Sequence, residues 1–173
     1  LSVDYTLSGW IYPQLLLDCV VHTSTVMMRR EIVNEIGLFD TRLVTGEDYD
    51  YWLRVSRKYQ IHKLAETYSF YRLSPSSLTG TPKLVNNEYS VIVRAIGEWG
   101  LLSPDGTSVS RQQLNRRLGK LAFDFGYSHY HSGSARIATN EFLKAFQHEP
   151  FRWRTIFYLF ASIVCDFRSR AHK

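Results

Sequence analysis

Two cysteines, Cys19 and Cys165, are all the chain has in 173 residues, and no Cys-x-x-Cys spacing occurs. That excludes a disulfide framework and a thiolate zinc site, and it points to a reducing compartment. Long apolar runs are also missing. The longest, Thr155 to Phe167, has about thirteen residues, short of the roughly 20 needed to cross a bilayer, so it is expected as a buried helix or one lying in a membrane interface. The sequence has no Asn-x-Ser/Thr acceptor, no signal-peptide pattern, no glycine-rich phosphate loop, no serine-centred nucleophile elbow and no RNP-like or zinc-finger signature. A chain that opens Leu1-Ser2-Val3 is expected to be part of a longer protein.

What is present is the material of a core: 45% hydrophobic residues, 14% aromatic and 21% charged, the balance of a folded protein rather than a disordered one. The net charge of +5 is uneven. Residues 1–80 carry 8 Lys/Arg against 9 Asp/Glu, and residues 81–173 carry 13 against 7. A basic C-terminal half predicts either contact with an anionic surface, such as a membrane or a polyanion, or a solvated helix face.

In chain order, Tyr12–Cys19 is a leucine-rich run of helical length, and Ser24–Met28 reads as a short buried strand. Arg29–Ile36 predicts a helix stopped by Gly37, with Leu38 placed to close a hydrophobic C-cap. Gln60–Leu64 and Thr67–Arg72 read as further strands, and the Pro/Ser/Gly-rich stretch 74–82 marks an organisational boundary near residue 80. Beyond it the periodicity predicts helices over 84–99, 110–131, 134–148 and 151–168, with a Ser103-Pro104-Asp105-Gly106 turn after the first. The second is expected to bury Leu114, Leu118, Leu121, Ala122 and Phe125. Gly126, Tyr130, Gly133, Ala135, Phe142, Ala145 and Pro150 follow the layout of one tetratricopeptide-like helix pair.

The densest chemistry lies in Thr45-Gly46-Glu47-Asp48-Tyr49-Asp50-Tyr51-Trp52-Leu53-Arg54, an acidic, glycine-led opening onto an aromatic helix. Helix N-termini hold carboxylates ionised and oriented. Two readings stay open: a capping box, with Thr45 as the cap and Asp48 reaching back to it, or a functional carboxylate at Asp48. The helical wheel predicts Tyr49, Trp52, Leu53, Ser56 and Tyr59 on an inner face. Asp50, Arg54, Arg57 and Lys58 fall on a solvated one, where Asp50 and Arg54 make an ordinary i,i+4 pair.

Other constellations are weaker. Asp48-Tyr49-Asp50 spells a divalent-cation motif, yet it follows a polar loop and enters a helix instead of ending an apolar strand, so no metal ligand is assigned. His129 and His131 are two apart, which on a helix turns them away from each other, unlike a zinc pair. Arginines spaced through apolar helices read as a solvated face rather than a nucleic-acid interface.

Four linked stretches carry a resemblance. Thr23-Ser24-Thr25-Val26-Met27-Met28-Arg29-Arg30-Glu31, Ile36-Gly37-Leu38-Phe39-Asp40, Gly46 to Arg54, and Tyr71-Arg72 resemble, in order and spacing, the C-terminal half of the catalytic domain of family-2 glycosyltransferases over residues 9–80. The resemblance implies a partial GT-A-like α/β sandwich followed by an all-α extension over 81–173. It implies an inverting transferase that moves a sugar from a nucleotide-sugar donor to a glycan or lipid-linked acceptor. Asp48 would be the general base, a role that typically contributes about 10²–10⁴-fold. Glu47 would orient the acceptor, with Gly46, Trp52 and Arg72 as further substrate-binding residues. A divalent cation, Mg or Mn, is implied for the full-length enzyme and none for these residues, because the donor-binding half with its strand-borne Asp-x-Asp is missing. A cytoplasmic place at the inner membrane face is implied, the basic helices meeting anionic lipid. Ser74 stands where many relatives carry a histidine.

Overall fold

The computed structural model describes residues 2–70 and 83–171. These residues are mostly helical: seven α-helices and one two-stranded antiparallel sheet. They fall into two compact units, Leu1–Arg72 with Ser90–Arg111, and Leu73–Tyr89 with Gln112–Lys173. The boundary expected near residue 80 lies outside the described residues.

In the first unit, β1 (Val3–Gly9) pairs with β2 (Ile61–Leu64), Val3 opposite Leu64 and Asp4 opposite Lys63, with an irregularity before Gly9 meets Ile61. Helix α1 (Tyr12–Leu17) starts on Pro13, whose fixed φ suits a first turn, and buries Tyr12, Leu15 and Leu16. Helix α2 (Arg30–Ile36) stops where the sequence predicts. Gly37 takes a left-handed φ of +86° that a side chain would resist, and its amide donates to Val33 O at 2.9 Å. The hydrophobic C-cap does not form, since Leu38 is 77% exposed.

Other strand expectations fail in instructive ways. Thr23–Thr25 is a short 3-10 turn, and Met27 is almost fully exposed. Val26 and Arg29 are extended in φ and ψ but have no neighbouring strand to pair with among the described residues. An apolar run becomes a buried strand only where a sheet receives it. Gln60–Leu64 does supply β2, whereas residues 67–70 form no strand and 71–72 lie outside the described residues. No α/β sandwich is present among the described residues, and the sheet stops at two strands.

Helix α3 (Glu47–Ser56) is the centre of this unit. Tyr49, Asp50, Tyr51, Trp52, Leu53, Val55 and Ser56 are all buried, so the helix is enclosed nearly all round instead of along one stripe. Against α1, the Tyr49 hydroxyl donates to Leu15 O. On the opposite side, Arg54 donates to Ile36 O at 2.7 Å and Leu38 O at 2.9 Å, tying the exit of α2 to α3. Helix α4 (Asn87–Trp99) contributes buried Val91, Ile92 and Ala95. Val85 and Val93 are exposed. The Tyr12 hydroxyl, buried at the α1 start, donates to Gly100 O at 2.9 Å. The turn after α4 forms at Ser103–Gly106, Gly106 amide to Ser103 O at 3.0 Å, with Gly106 at a φ of +85°.

In the second unit, α5 (Arg111–Ser132) and α6 (Ala135–His148) share a core of Ala122, Phe123, Ala138, Phe142 and Ala145. The buried stripe of α5 runs through Leu114, Leu118, Ala122, Gly126 and His129, leaving Leu121 and Phe125 half-buried. Small residues let the helices close. A Cβ on Gly126 would meet the Phe142 ring at 3.1 Å and Ala138 O at 3.2 Å. Ser134 caps α6, its hydroxyl accepting from the Ile137 amide at 3.4 Å. Helix α7 (Trp153–Ala171) packs on α6, with Thr155 and Ser162 fully buried and Thr139 Oγ1 donating to Ser162 Oγ at 3.0 Å.

Candidate functional site

The opening of α3 gathers four of the five sequence-identified residues. Gly46 is the residue before the helix, at φ +79° and ψ 10°, a left-handed conformation open to glycine at little cost. This glycine, not Thr45, occupies the N-cap position, and it provides no side-chain cap bond. The capping box is therefore out of register with the helix that forms. Glu47 and Asp48 are its first two residues, and Trp52 follows one turn later. Arg72 lies outside the described residues.

Asp48 is half-buried. Its Oδ1 accepts from the Tyr49 amide at 2.7 Å, one of the N–H groups that a first turn leaves without a helical partner. Its Oδ2 accepts from Thr23 Oγ1 at 3.4 Å. Thr23 in turn accepts from Trp52 Nε1 at 3.2 Å, giving a short relay from indole through hydroxyl to carboxylate. Trp52 is 2% exposed, so it orients Thr23 from inside the core and does not lie open as a platform. Glu47 adds the least satisfied atom of the group: its Oε2 is buried and has no hydrogen-bond partner among the described residues. A buried carboxylate oxygen without a donor is costly and rare in native proteins.

Thr23 was not singled out as a site residue from sequence. Its spacing to Asp48 carries no periodic signal, and only the 3-10 turn at 23–25 brings its hydroxyl to the helix opening.

On the other side of α3 a second polar cluster forms. Asp50, 6% exposed, accepts from Arg54 Nε at 3.0 Å and from Arg94 of α4. The Asp50–Arg54 pair is the predicted one, but it is buried where solvent was expected, because residues 36–40 and α4 cover that face. Arg94 also donates to Asp40 Oδ2 at 3.2 Å, and Asp40 is held by Arg42 at 2.9 and 3.0 Å. These groups, with Leu38, Glu98 and Trp99, line an open cavity of ≈ 430 Å³. Hydrogen bonds from Arg42, reinforced by Arg94, hold the Asp40 carboxyl well below the usual carboxylate range. Nearby, burial pushes the Tyr12 phenol up to about 12, with the Arg57 guanidinium over its ring pulling the other way. The cavity lining carries three arginines and three carboxylates, Asp40, Asp50 and Glu98, so its formal charge balances.

Among the described residues no group of three or more His, Cys, Asp or Glu side chains could hold a metal ion. His129 has a structural assignment instead. Its Nδ1 accepts from the Ser134 amide at 3.3 Å, which leaves Nε2 to donate to Lys83 O at 2.7 Å. Compared with protein-family models, with curated proteins and with solved structures, the chain matches none.

Proposed function

We propose that residues 1–80 form the acceptor-side part of an inverting glycosyltransferase of GT-A type, with Asp48 as the general base and residues 81–173 as a helical, tetratricopeptide-like extension. The observation that carries the proposal is the pair of carboxylates at one helix opening. Asp48 is oriented by the Tyr49 amide and the Thr23 hydroxyl, and beside it Glu47 Oε2 is buried without a donor among the described residues. An acceptor sugar supplies what both groups call for through two of its hydroxyls: one donates to Glu47, and the attacking one gives its proton to Asp48.

The chemistry follows from that placement. The acceptor hydroxyl gives its proton to Asp48 Oδ2 as its oxygen attacks the anomeric carbon of the donor sugar. The bond to the nucleoside diphosphate breaks on the opposite face, and the configuration inverts. Glu47 aligns the acceptor, Gly46 lets the backbone approach closely, and Trp52 holds Thr23 in place. The acceptor class is a glycan or a lipid-linked glycan. The donor nucleotide and a divalent cation, which would neutralise the leaving diphosphate, fit no group of residues described in this chain, so no step is routed through them. On this reading they would be held by residues outside 1–173, and residues 1–173 alone are expected to be inactive.

A second reading rests on the same atoms. Both Asp48 oxygens already accept hydrogen bonds, as they would in a purely structural helix start within a non-catalytic interaction module. Asp48→Asn in the natural full-length chain separates the two. A base role predicts loss of sugar transfer by at least about 10²-fold with the fold intact; retained transfer sinks it. Sugar transfer by residues 1–173 alone would contradict the missing donor half.

A further inference from the structure

The least expected surface of the molecule is the outward side of α7. Trp153, Phe157, Phe160, Val164 and Phe167 are exposed at 73, 59, 66, 52 and 69%. Their spacings are four, three, four and three residues, so at about 100° per residue they fall within roughly 80° of one another, opposite the buried Thr155 and Ser162. Exposing one such side chain is ordinary, but aligning five, four of them aromatic, on one helix face marks a surface that something covers.

The charges around the stripe choose among occupants. Residues 151–173 hold five Lys/Arg and one acid, Asp166. Arg152 and Arg154 stand at the start of the helix, and Arg168 and Arg170 near its end. Arg152 is shared with Glu149 at 3.4 Å, and both Arg152 and Arg154 lie against the Phe123 ring. No acid occurs from Phe151 to Cys165. A second copy docked on this face, parallel or antiparallel, would bring five basic residues against five, with Asp166 the one acid on each helix to offset them. An anionic lipid surface supplies the missing countercharge over the whole length. No helix among the described residues is long and apolar enough to cross a membrane, so the geometry is that of a helix lying along the interface with its aromatic stripe inward.

We infer that α7 docks on an anionic bilayer surface, with Trp153, Phe157, Phe160, Val164 and Phe167 inserted below the headgroups. The inference does not depend on sugar transfer, because it rests on a different unit and a different surface. The test is sedimentation of the 173-residue chain with vesicles of phosphatidylcholine alone and of phosphatidylcholine mixed with phosphatidylglycerol. Binding is expected to the mixed vesicles, to weaken with salt, and to fall by about tenfold or more in Phe157→Ser/Phe160→Ser. Brominated lipid is expected to quench a component of tryptophan fluorescence that Trp153→Phe removes, and this readout in the otherwise unaltered chain decides the matter even if the double variant folds poorly. The inference is overturned by absence of binding to the mixed vesicles, by binding without Trp153 quenching, or by a dimer that the double variant converts to monomer, which would make a second copy the occupant.

Discussion

The two units hold their central helices by opposite means. Around α3, burial is achieved with charge: Asp50 is enclosed between Arg54 and Arg94, and Arg54 spends its remaining donors on the carbonyls of Ile36 and Leu38. Around α5 and α6, it is achieved with shape: Gly126 and Ala138 let the Phe142 ring lie against a helix backbone, and aromatic rings fill the rest. Buried charge is directional, so it fixes how loops approach a helix, at the risk of a large penalty if one partner is lost. Packing of small against large residues is cheaper to build but intolerant of added volume.

Removing Phe142 should have the largest effect. Phe142→Ala is expected to destabilise the second unit by about 3–5 kcal/mol, the usual cost of emptying a ring-sized site. Amide hydrogen exchange should report it through faster exchange in α5 and α6 and little change in α3. A comparable loss in α3 would break the contrast between the units. Next comes Asp50→Ala, which removes the carboxylate two guanidinium groups share, leaving Arg94 with Asp40 and Arg54 with backbone carbonyls. Arg54 is 23% and Arg94 42% exposed, so solvent recovers part of the loss, and about 3 kcal/mol is expected in urea unfolding of the first unit, the low end for a broken buried pair. Asp50→Asn should recover part of the loss by keeping hydrogen-bond acceptance; if Asn and Ala behave alike, the charge network does not hold the helix.

Gly126→Ala tests shape from the other direction. The added Cβ would sit 3.1 Å from the Phe142 ring, so overpacking of about 1–3 kcal/mol is expected, visible as a lower Tm. An unchanged Tm would show that the helices can part freely. A smaller effect is expected at Gly46, where Ala must adopt the left-handed φ of +79°, at about 1 kcal/mol. The smallest concerns pH. Burial lowers the His148 pKa, with Glu149 opposing, so the folded form resists protonation more than the unfolded chain. Stability should therefore decline as pH falls below about 6.5, the unfolded value, and His148→Gln should flatten that slope. Asp40 is lowered as well. Its contribution is present above the ordinary carboxylate pKa and is lost only in stronger acid, separating the responses of the two units.

Local features were legible in the chain. Gly37 after Ile36, the Ser103–Gly106 turn, strand β2 and the Ser134 cap follow from backbone preferences that act within a few residues. So was the grouping of Gly46, Glu47, Asp48 and Trp52, since adjacency and one helical turn suffice to bring them together. What failed depended on distant neighbours. Ser24–Met28 has strand composition but no sheet to join among the described residues, Leu38 has the spacing of a C-cap contact but lies in the open, and Asp50 has solvated periodicity but is covered by residues 36–40 and Arg94. Thr23 reaches Asp48 through a turn that no period announces.

By itself, then, the sequence determined roughly where the helices lie, which residues share the opening of α3, and that the C-terminal half is basic, because these depend on local dihedral preference and composition. The tertiary structure alone decided which faces are buried, that Asp50 lies between two arginines, that Glu47 holds an oxygen without a donor among the described residues, and that an aromatic stripe of α7 faces outward. Burial is a property of what packs against an element, and amphipathic periodicity can state that a face exists without stating what covers it.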